Sequence, residues 1–188
     1  MRFALLAAGL MTAFPAAAQN AMPPAMPVGW SAEAKGRDDV TNRLNLPCIF
    51  NRLEANLRLS APILRTKVVP TTGLEFIAPG SAVEKVMLHI RDNGEGKPEL
   101  VLRKYGGAKA IDDIRFPVAV AYGSDVAVAI SWDAAGQITV TAGTAQQRMT
   151  LGAVPAAIEF FVQGGKGDVS NARYSWQGPA KPPCPAPR

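Results

Sequence analysis

Residues Val126 to Val140 constrain this chain more than any other stretch. Val126, Val128, Ile130 and Trp132 occupy every second position, Asp133-Ala-Ala-Gly136 follows, and Ile138 and Val140 resume the alternation. Strand side chains point to opposite faces with a period of two, so this pattern predicts a half-buried β-hairpin. Gly136 suits the left-handed position that closes a short hairpin loop. By parity Trp132 points into the core with its three aliphatic partners.

The same alternation recurs along the chain. Leu53, Ala55, Leu57 and Leu59 alternate with Arg52, Glu54, Asn56 and Arg58. Further strands are expected at Leu74–Phe76, Val86–Ile90, Leu100–Leu102, Phe116–Tyr122, Arg148–Leu151, Ile158–Val162 and Val169–Trp176. Gly164-Gly-Lys-Gly167 reads as a hairpin turn, because it lacks the spacing of a phosphate loop and no helix follows it. Trp30 to Leu46 is polar and mixed, with Asp38 or Asp39 placed to cap a single helical turn before Pro47. Turn signals every 8 to 12 residues and the near absence of helical periodicity indicate an all-β sandwich or barrel in one domain.

The first residues carry the marks of an export signal. Met1-Arg2 gives a positive start, Phe3 to Phe14 is apolar apart from Gly9 and Thr12, and Ala16-Ala-Ala18 offers a cleavage site after Ala18. That run is too short for the roughly 20 residues that span a bilayer. The expected organisation is a leader over 1–18, a proline-rich and polar segment over 19–47, one β-sandwich over 48–177 and a proline-rich tail over 178–188. The expected location is the periplasm or the extracellular space.

Cys48 and Cys184 are the two cysteines of the chain. In an oxidising compartment such a pair is expected to form a disulfide, which would hold the start and end of the domain side by side. Two thiols and one distant histidine do not make a zinc set, so no metal and no cofactor is expected. The chain has 20 basic and 15 acidic side chains, spread without a basic block. That balance permits an anionic partner but gives no footprint for nucleic acid.

The stretch from Tyr122 to Tyr174 resembles the concanavalin A-like superfamily, which includes laminin G-like and legume-lectin-like domains. The residues that carry the resemblance are Ile130-Ser-Trp132-Asp133, the return Gly136-Gln-Ile138-Thr-Val140, and Ile158-Glu-Phe160-Phe-Val162 before a glycine-rich turn. The resemblance implies an antiparallel two-sheet jelly roll with adjacent termini, a scaffold often used to bind or cleave glycans. Glycosidases of that superfamily carry an E-x-D-x-x-E pattern on one strand, whereas here Glu159 stands alone between Ile158 and Phe160. Retaining hydrolysis needs two carboxyl groups about 5 to 5.5 Å apart. The Arg-x-Glu-x-Arg and Gln-Ile-His motifs of alginate-lyase-like members are absent too, Leu88 standing where glutamine would be expected before His89.

His89 is the single histidine and, by alternation with Leu88 and Ile90, faces away from the core. If Val86–Ile90 pairs with Leu100–Leu102, then Met87, His89, Arg91, Val101, Arg103 and Tyr105 share one sheet face. The candidate ligand-binding residues are therefore His89, Arg91, Arg103 and Tyr105, set against an ordinary solvated face. Tyr174 and Trp176 are expected to share an exposed face. Asp112-Asp113 and Asp38-Asp39 read as solvated loop pairs, since calcium would demand more oxygen ligands.

Three readings follow. The first is an exported, non-catalytic module that recognises a glycan or other extracellular polymer, anionic polymers included. The second is a divergent polysaccharide-active enzyme with His89 and Tyr105 as base and acid. The third is an envelope-structural or protein-interaction domain without a small ligand.

Overall fold

The computed structural model describes residues 29–34, 39–46, 50–62, 68–81 and 83–178. The expected leader, Cys48, Cys184 and the tail beyond Gly178 lie outside the described residues. Twelve strands are described: β1 (Trp30–Glu33), β2 (Asp39–Asn45), β3 (Arg52–Pro62), β4 (Thr71–Ile77), β5 (Lys85–Asp92), β6 (Pro98–Gly106), β7 (Lys109–Arg115), β8 (Val126–Trp132), β9 (Gln137–Ala142), β10 (Ala145–Thr150), β11 (Ala157–Gln163) and β12 (Gly165–Ser175). They form two six-stranded antiparallel sheets, ordered β1-β12-β3-β8-β9-β10 and β2-β11-β4-β5-β6-β7.

The hairpin expected at Val126–Val140 is β8–β9, with Ile130 opposite Val140 and Trp132 opposite Ile138. Its loop closes through the Asp133 carboxylate, which accepts from the amides of Ala135 and Gln137, and through Gly136 at φ 75°. Trp132 is buried between the sheets, edge-on to Phe50 at 5.6 Å and beside Phe76 of the other sheet at 5.9 Å. Leu53, Leu57, Leu59, Ile130 and Val140 of the first sheet meet Leu74, Phe76, Leu88, Ile90, Leu102 and Phe160 of the second in one continuous core. Each such side chain contributes about 1.5–3 kcal/mol when fully buried.

The sandwich begins earlier than the sequence reading places it. Trp30–Glu33 pairs with β12, and Asp39–Asn45 pairs with β11 as an edge strand rather than capping a helical turn. Edge strands are wet on both faces along much of their length, and β2 is exposed at nearly every position, which erases its alternation. Lys109–Arg115, carrying Asp112-Asp113, is likewise an edge strand and not a loop. Phe116–Tyr122 is not a strand. It crosses from the second sheet to the first, pinned where the Tyr122 hydroxyl donates to the Asp92 carboxylate.

Gly165-Lys-Gly167 opens β12 and so belongs to a strand; the turn at Gly164 joins strands of different sheets rather than a hairpin. A bulge between Ser170 and Arg173, with Asn171 at φ 55°, resets the parity of β12. Tyr174 therefore packs on Phe50 at 4.8 Å, and its hydroxyl is pushed by burial to a pKa of about 12. It is not an exposed platform.

The start and end of the sandwich lie together. Besides the β1–β12 pairing, the Asn51 side chain donates to the Gln177 carbonyl (2.9 Å) and accepts from the Gln177 amide (2.7 Å). Non-reducing peptide mapping of the protein folded in an oxidising compartment is expected to yield a Cys48–Cys184 linked pair. Two free thiols on titration of the native protein would contradict it.

A second prediction concerns the hairpin. A Cβ at Gly136 meets both left-handed backbone strain and the Ala153 main chain, whereas one at Gly143 (φ 57°) comes no nearer than 3.7 Å to Val118. Left-handed strain alone costs about 1–2 kcal/mol. In urea unfolding, Gly143→Ala is expected to lose about that much and Gly136→Ala distinctly more. Equal losses would contradict the contact at Ala153.

Candidate functional site

The two sheets treat their outer faces differently. The first follows simple alternation, β8 being buried at Val126, Val128, Ile130 and Trp132 and more open between them. In the second, all seven residues of β4 are buried, as are five consecutive residues of β5. Something other than the sandwich core covers that outer face.

Register fixes what lies there. Across β11, β4, β5, β6 and β7, one row reads Phe161, Gly73, His89, Val101 and Arg115. The next reads Glu159, Glu75, Met87, Arg103 and Asp113. Beyond it Ile77, Lys85 and Tyr105 stand side by side. The pairing expected for Val86–Ile90 and Leu100–Leu102 is present, with Met87 opposite Arg103 and His89 opposite Val101.

His89, Arg91, Arg103 and Tyr105 all line one recess of about 370 Å³ on this face. Its rim includes Val69 and the Asp92-Asn93-Gly94 turn, where the Asp92 carboxylate accepts from the Gly94 and Gly96 amides. A second recess of about 370 Å³ adjoins it and shares Met87, Tyr105, Phe161 and Gln163. It reaches Glu75, Lys85, Glu159 and, on β2, Asp39 and Thr41. A larger depression of about 620 Å³ lies on the other sheet, but its floor is built around Ala127 and Ala129 and is broad and shallow.

His89 differs from the solvent-facing or hydrogen-bonded residue that parity alone suggested. It does face away from the core, yet it is only 2% exposed, and its Nδ1 has no hydrogen-bond partner. Gly73 lies beside it across the strand pair, where a Cβ would overlap the Leu88 carbonyl and crowd the His89 Cα and Cβ. The imidazole instead has Phe161 as its ring neighbour, centroids 6.5 Å apart. Burial first, and then the Arg103 and Arg91 charges, push its pKa down to about 3, so the ring is neutral. A neutral imidazole offers one donor and one acceptor.

The arginines are held by carboxylates. Arg103 donates through Nε and Nη2 to both Asp113 oxygens (3.0 and 2.7 Å), and through Nη1 to the Tyr105 hydroxyl (3.4 Å). Arg91 donates to Glu99 (3.0 Å) and Asp113 (3.4 Å), and Arg115 lies 3.4 Å from the second Glu99 oxygen. Burial opposes the charged form of Asp113, but the hydrogen bond and charge of Arg103 prevail and hold its carboxyl below the usual range. Three guanidinium groups thus share two carboxylates, while Asp92 on the rim accepts from the Tyr122 hydroxyl.

The adjoining recess supplies what no single strand carries. Glu159 and Glu75 are direct cross-strand partners, although Glu159 is isolated within its own strand. Glu75 accepts from the Lys85 ammonium at 2.7 Å; burial nonetheless raises its pKa, with Glu159 and Asp39 adding to the effect. Lys85 also sits 5.5 Å from the centroid of the Tyr105 ring and Arg103 6.0 Å from it.

Sequence reasoning missed Asp113, Glu99, Glu75, Phe161 and Gln163. Asp113 was hidden in a segment read as a loop, and the others emerge only from strand order. Among the described residues, no group of three His, Cys, Asp or Glu side chains is placed to hold a metal.

Comparison with known proteins places this geometry on a known scaffold. No protein-family model matches the chain, and no curated protein matches it. Among solved structures, a carbohydrate-binding module, CBM66 of Bacillus subtilis, superposes with a TM-score of 0.53 at 7% identity, over 80% of this chain and 97% of that one. The fold is the concanavalin A-like jelly roll. A homodimeric agglutinin from chicken liver, CG-16, gives 0.51 at 13% identity, over 72% of this chain and all of that one. The β-glucanase of Bacillus licheniformis gives 0.51 at 12% identity, over 73% and 71%. At these identities the likeness is one of fold, and function rests on the site.

The single histidine makes the electrostatics directly testable. Its folded pKa lies below the ordinary value near 6.5, so the unfolded chain takes up a proton that the folded protein refuses. Stability from this group is complete above about pH 6.5 and falls as the pH drops from there towards 3. In NMR the imidazole signals are expected to stay at neutral-form shifts from pH 8 to pH 5. A titration midpoint near 6.5 would contradict the burial.

Proposed function

We propose that the chain is an exported, non-catalytic binding module that recognises a neutral, hydroxyl-rich glycan on the outer face of the β2–β7 sheet. The observation that carries this reading is the Nδ1 of His89, buried and without a partner on a recess wall that Arg91, Arg103 and Tyr105 also line. A buried polar atom without a partner costs about 1–3 kcal/mol. A ligand hydroxyl removes that cost only where the side chains closing over the ring move aside to let it reach the nitrogen.

The charge balance supports a neutral ligand over the anionic polymer also considered from sequence. Arg91, Arg103 and Arg115 are already paired with Glu99 and Asp113, and Asp92 stands on the same rim, so an added carboxylate meets acids as well as bases. Spare guanidinium N–H groups and carboxylate lone pairs, fixed at short distance, present donors and acceptors together. The fold supports a glycan as the ligand class, since its structural neighbours include a carbohydrate-binding module and an agglutinin.

One observation favours a second reading, hydrolysis: Glu75 and Glu159 oppose each other across β4 and β11, and burial raises the Glu75 pKa as a general acid requires. Against it, Glu75 is engaged by Lys85.

A glycan array probed with the mature protein tests the first reading, and it should include neutral and uronic polymers. Binding to neutral glycans is expected, with Arg103→Ala weakening it at least tenfold. Binding confined to uronic polymers would contradict the neutral assignment. Reducing-end release from a bound polymer, abolished by Glu159→Gln, would replace binding with hydrolysis.

A further inference from the structure

Five charged side chains line the recess at His89: Arg91, Arg103 and Arg115 against Asp92 and Glu99. With His89 neutral, they leave one positive charge in excess. Asp113 cancels it from outside the lining. Its carboxylate takes the Arg103 Nε at 3.0 Å and Nη2 at 2.7 Å, and the Arg91 Nη2 at 3.4 Å. Glu99 pairs with Arg91 and Arg115, which leaves Arg103 to Asp113 alone among the described carboxylates.

A single extra residue puts Asp113 there. From the turn, β6 and β7 pair Gly106 with Lys109 and Tyr105 with Ala110, then shift so that Lys104 faces Asp112 and Arg103 faces Asp113. Ile111 is the residue left over, and it is 60% exposed. Without that bulge the count along the strand would set Asp112 opposite Arg103. A bulge re-aims the side chains that follow it. Asp112 takes the other parity and makes no salt bridge among the described residues; its Oδ1 accepts from the Asp113 amide at 2.8 Å.

We infer that Asp113 is a specificity-determining residue of this recess, a positioning group that sets it for uncharged ligands by holding Arg91 and Arg103 from behind. This rests on the reading of the recess as a site for a neutral glycan and names the residue that selects against anions. A free guanidinium offers paired donors that match a carboxylate or sulfate. The Nε and Nη2 pair of Arg103 is already taken by Asp113, and Nη1 is turned to the Tyr105 hydroxyl. An entering anion must displace Asp113 or forgo that grip, whereas a hydroxyl needs only the N–H groups that remain. Removing the Asp113 charge releases both arginines at once.

Sulfate, an anion with no sugar to recognise, is the probe. NMR titration follows the His89 ring and Arg103 Nε–H signals in the wild type, Asp113→Asn, Asp113→Glu and Asp112→Asn. Asp113→Asn is expected to bind sulfate at least fivefold more tightly than the wild type. Asp112→Asn makes the same change in net charge one residue away, and Asp113→Glu keeps the charge; both are expected to stay within twofold of the wild type. No gain in Asp113→Asn would overturn the inference. So would an equal gain in Asp112→Asn, which makes the effect one of bulk charge, or in Asp113→Glu, which makes it one of a loosened edge strand. A gain confined to Asp113→Asn, in a protein that binds no neutral glycan, would sink the glycan reading and leave Asp113 in its role.

Discussion

A sheet buried on both faces must exclude water in two different ways, and the β2–β7 sheet does so. Its inner face is closed by ordinary hydrophobic packing, in which Trp132 and Phe50 of one layer meet Phe76 of the other. Its outer face is closed by a lattice of arginines, carboxylates, Tyr105 and turn residues standing over His89, Met87 and Val101. The first closure gives the sandwich its stability. The second leaves space within it, and that space is the pair of adjoining recesses.

The polar closure is held by geometry that leaves little freedom. Arg103 grips both oxygens of Asp113, and Arg91 links Asp113 to Glu99, so the side chains are ordered before any ligand arrives. Such preorganisation lowers the entropy lost on binding. His89 is the exception, held chiefly by burial, with no hydrogen-bond partner for its Nδ1. Its unpartnered nitrogen is a standing cost that folding alone does not explain. Local conflict with the rules of stability is what a binding site produces.

Much of the scaffold is legible in the chain. Alternation at Val126–Val140 locates β8–β9 and sends Trp132 inward, and the parity of β5 and β6 groups His89, Arg91, Arg103 and Tyr105 correctly on one face. Parity states which face a residue takes, however, not how deep that face lies. The burial of His89 depends on neighbours from β4, β7 and β11 and on the Asp92 turn, none adjacent to it in the strand pattern. The Glu75–Glu159 opposition is invisible for the same reason, because strand order creates it. β2 and β7 escape notice as edge strands that lack a dry face, and the β12 bulge inverts Tyr174 after alternation has been counted.

The central claim is that His89 is kept for a ligand at the expense of stability. The most direct measurement is thermal unfolding of His89→Leu beside glycan binding by the same variant. Leucine fills much of the same space without an orphaned nitrogen, so the melting temperature is expected to stay level or rise while glycan affinity falls at least tenfold. A clear drop in melting temperature with binding retained would make His89 a structural residue and contradict the account.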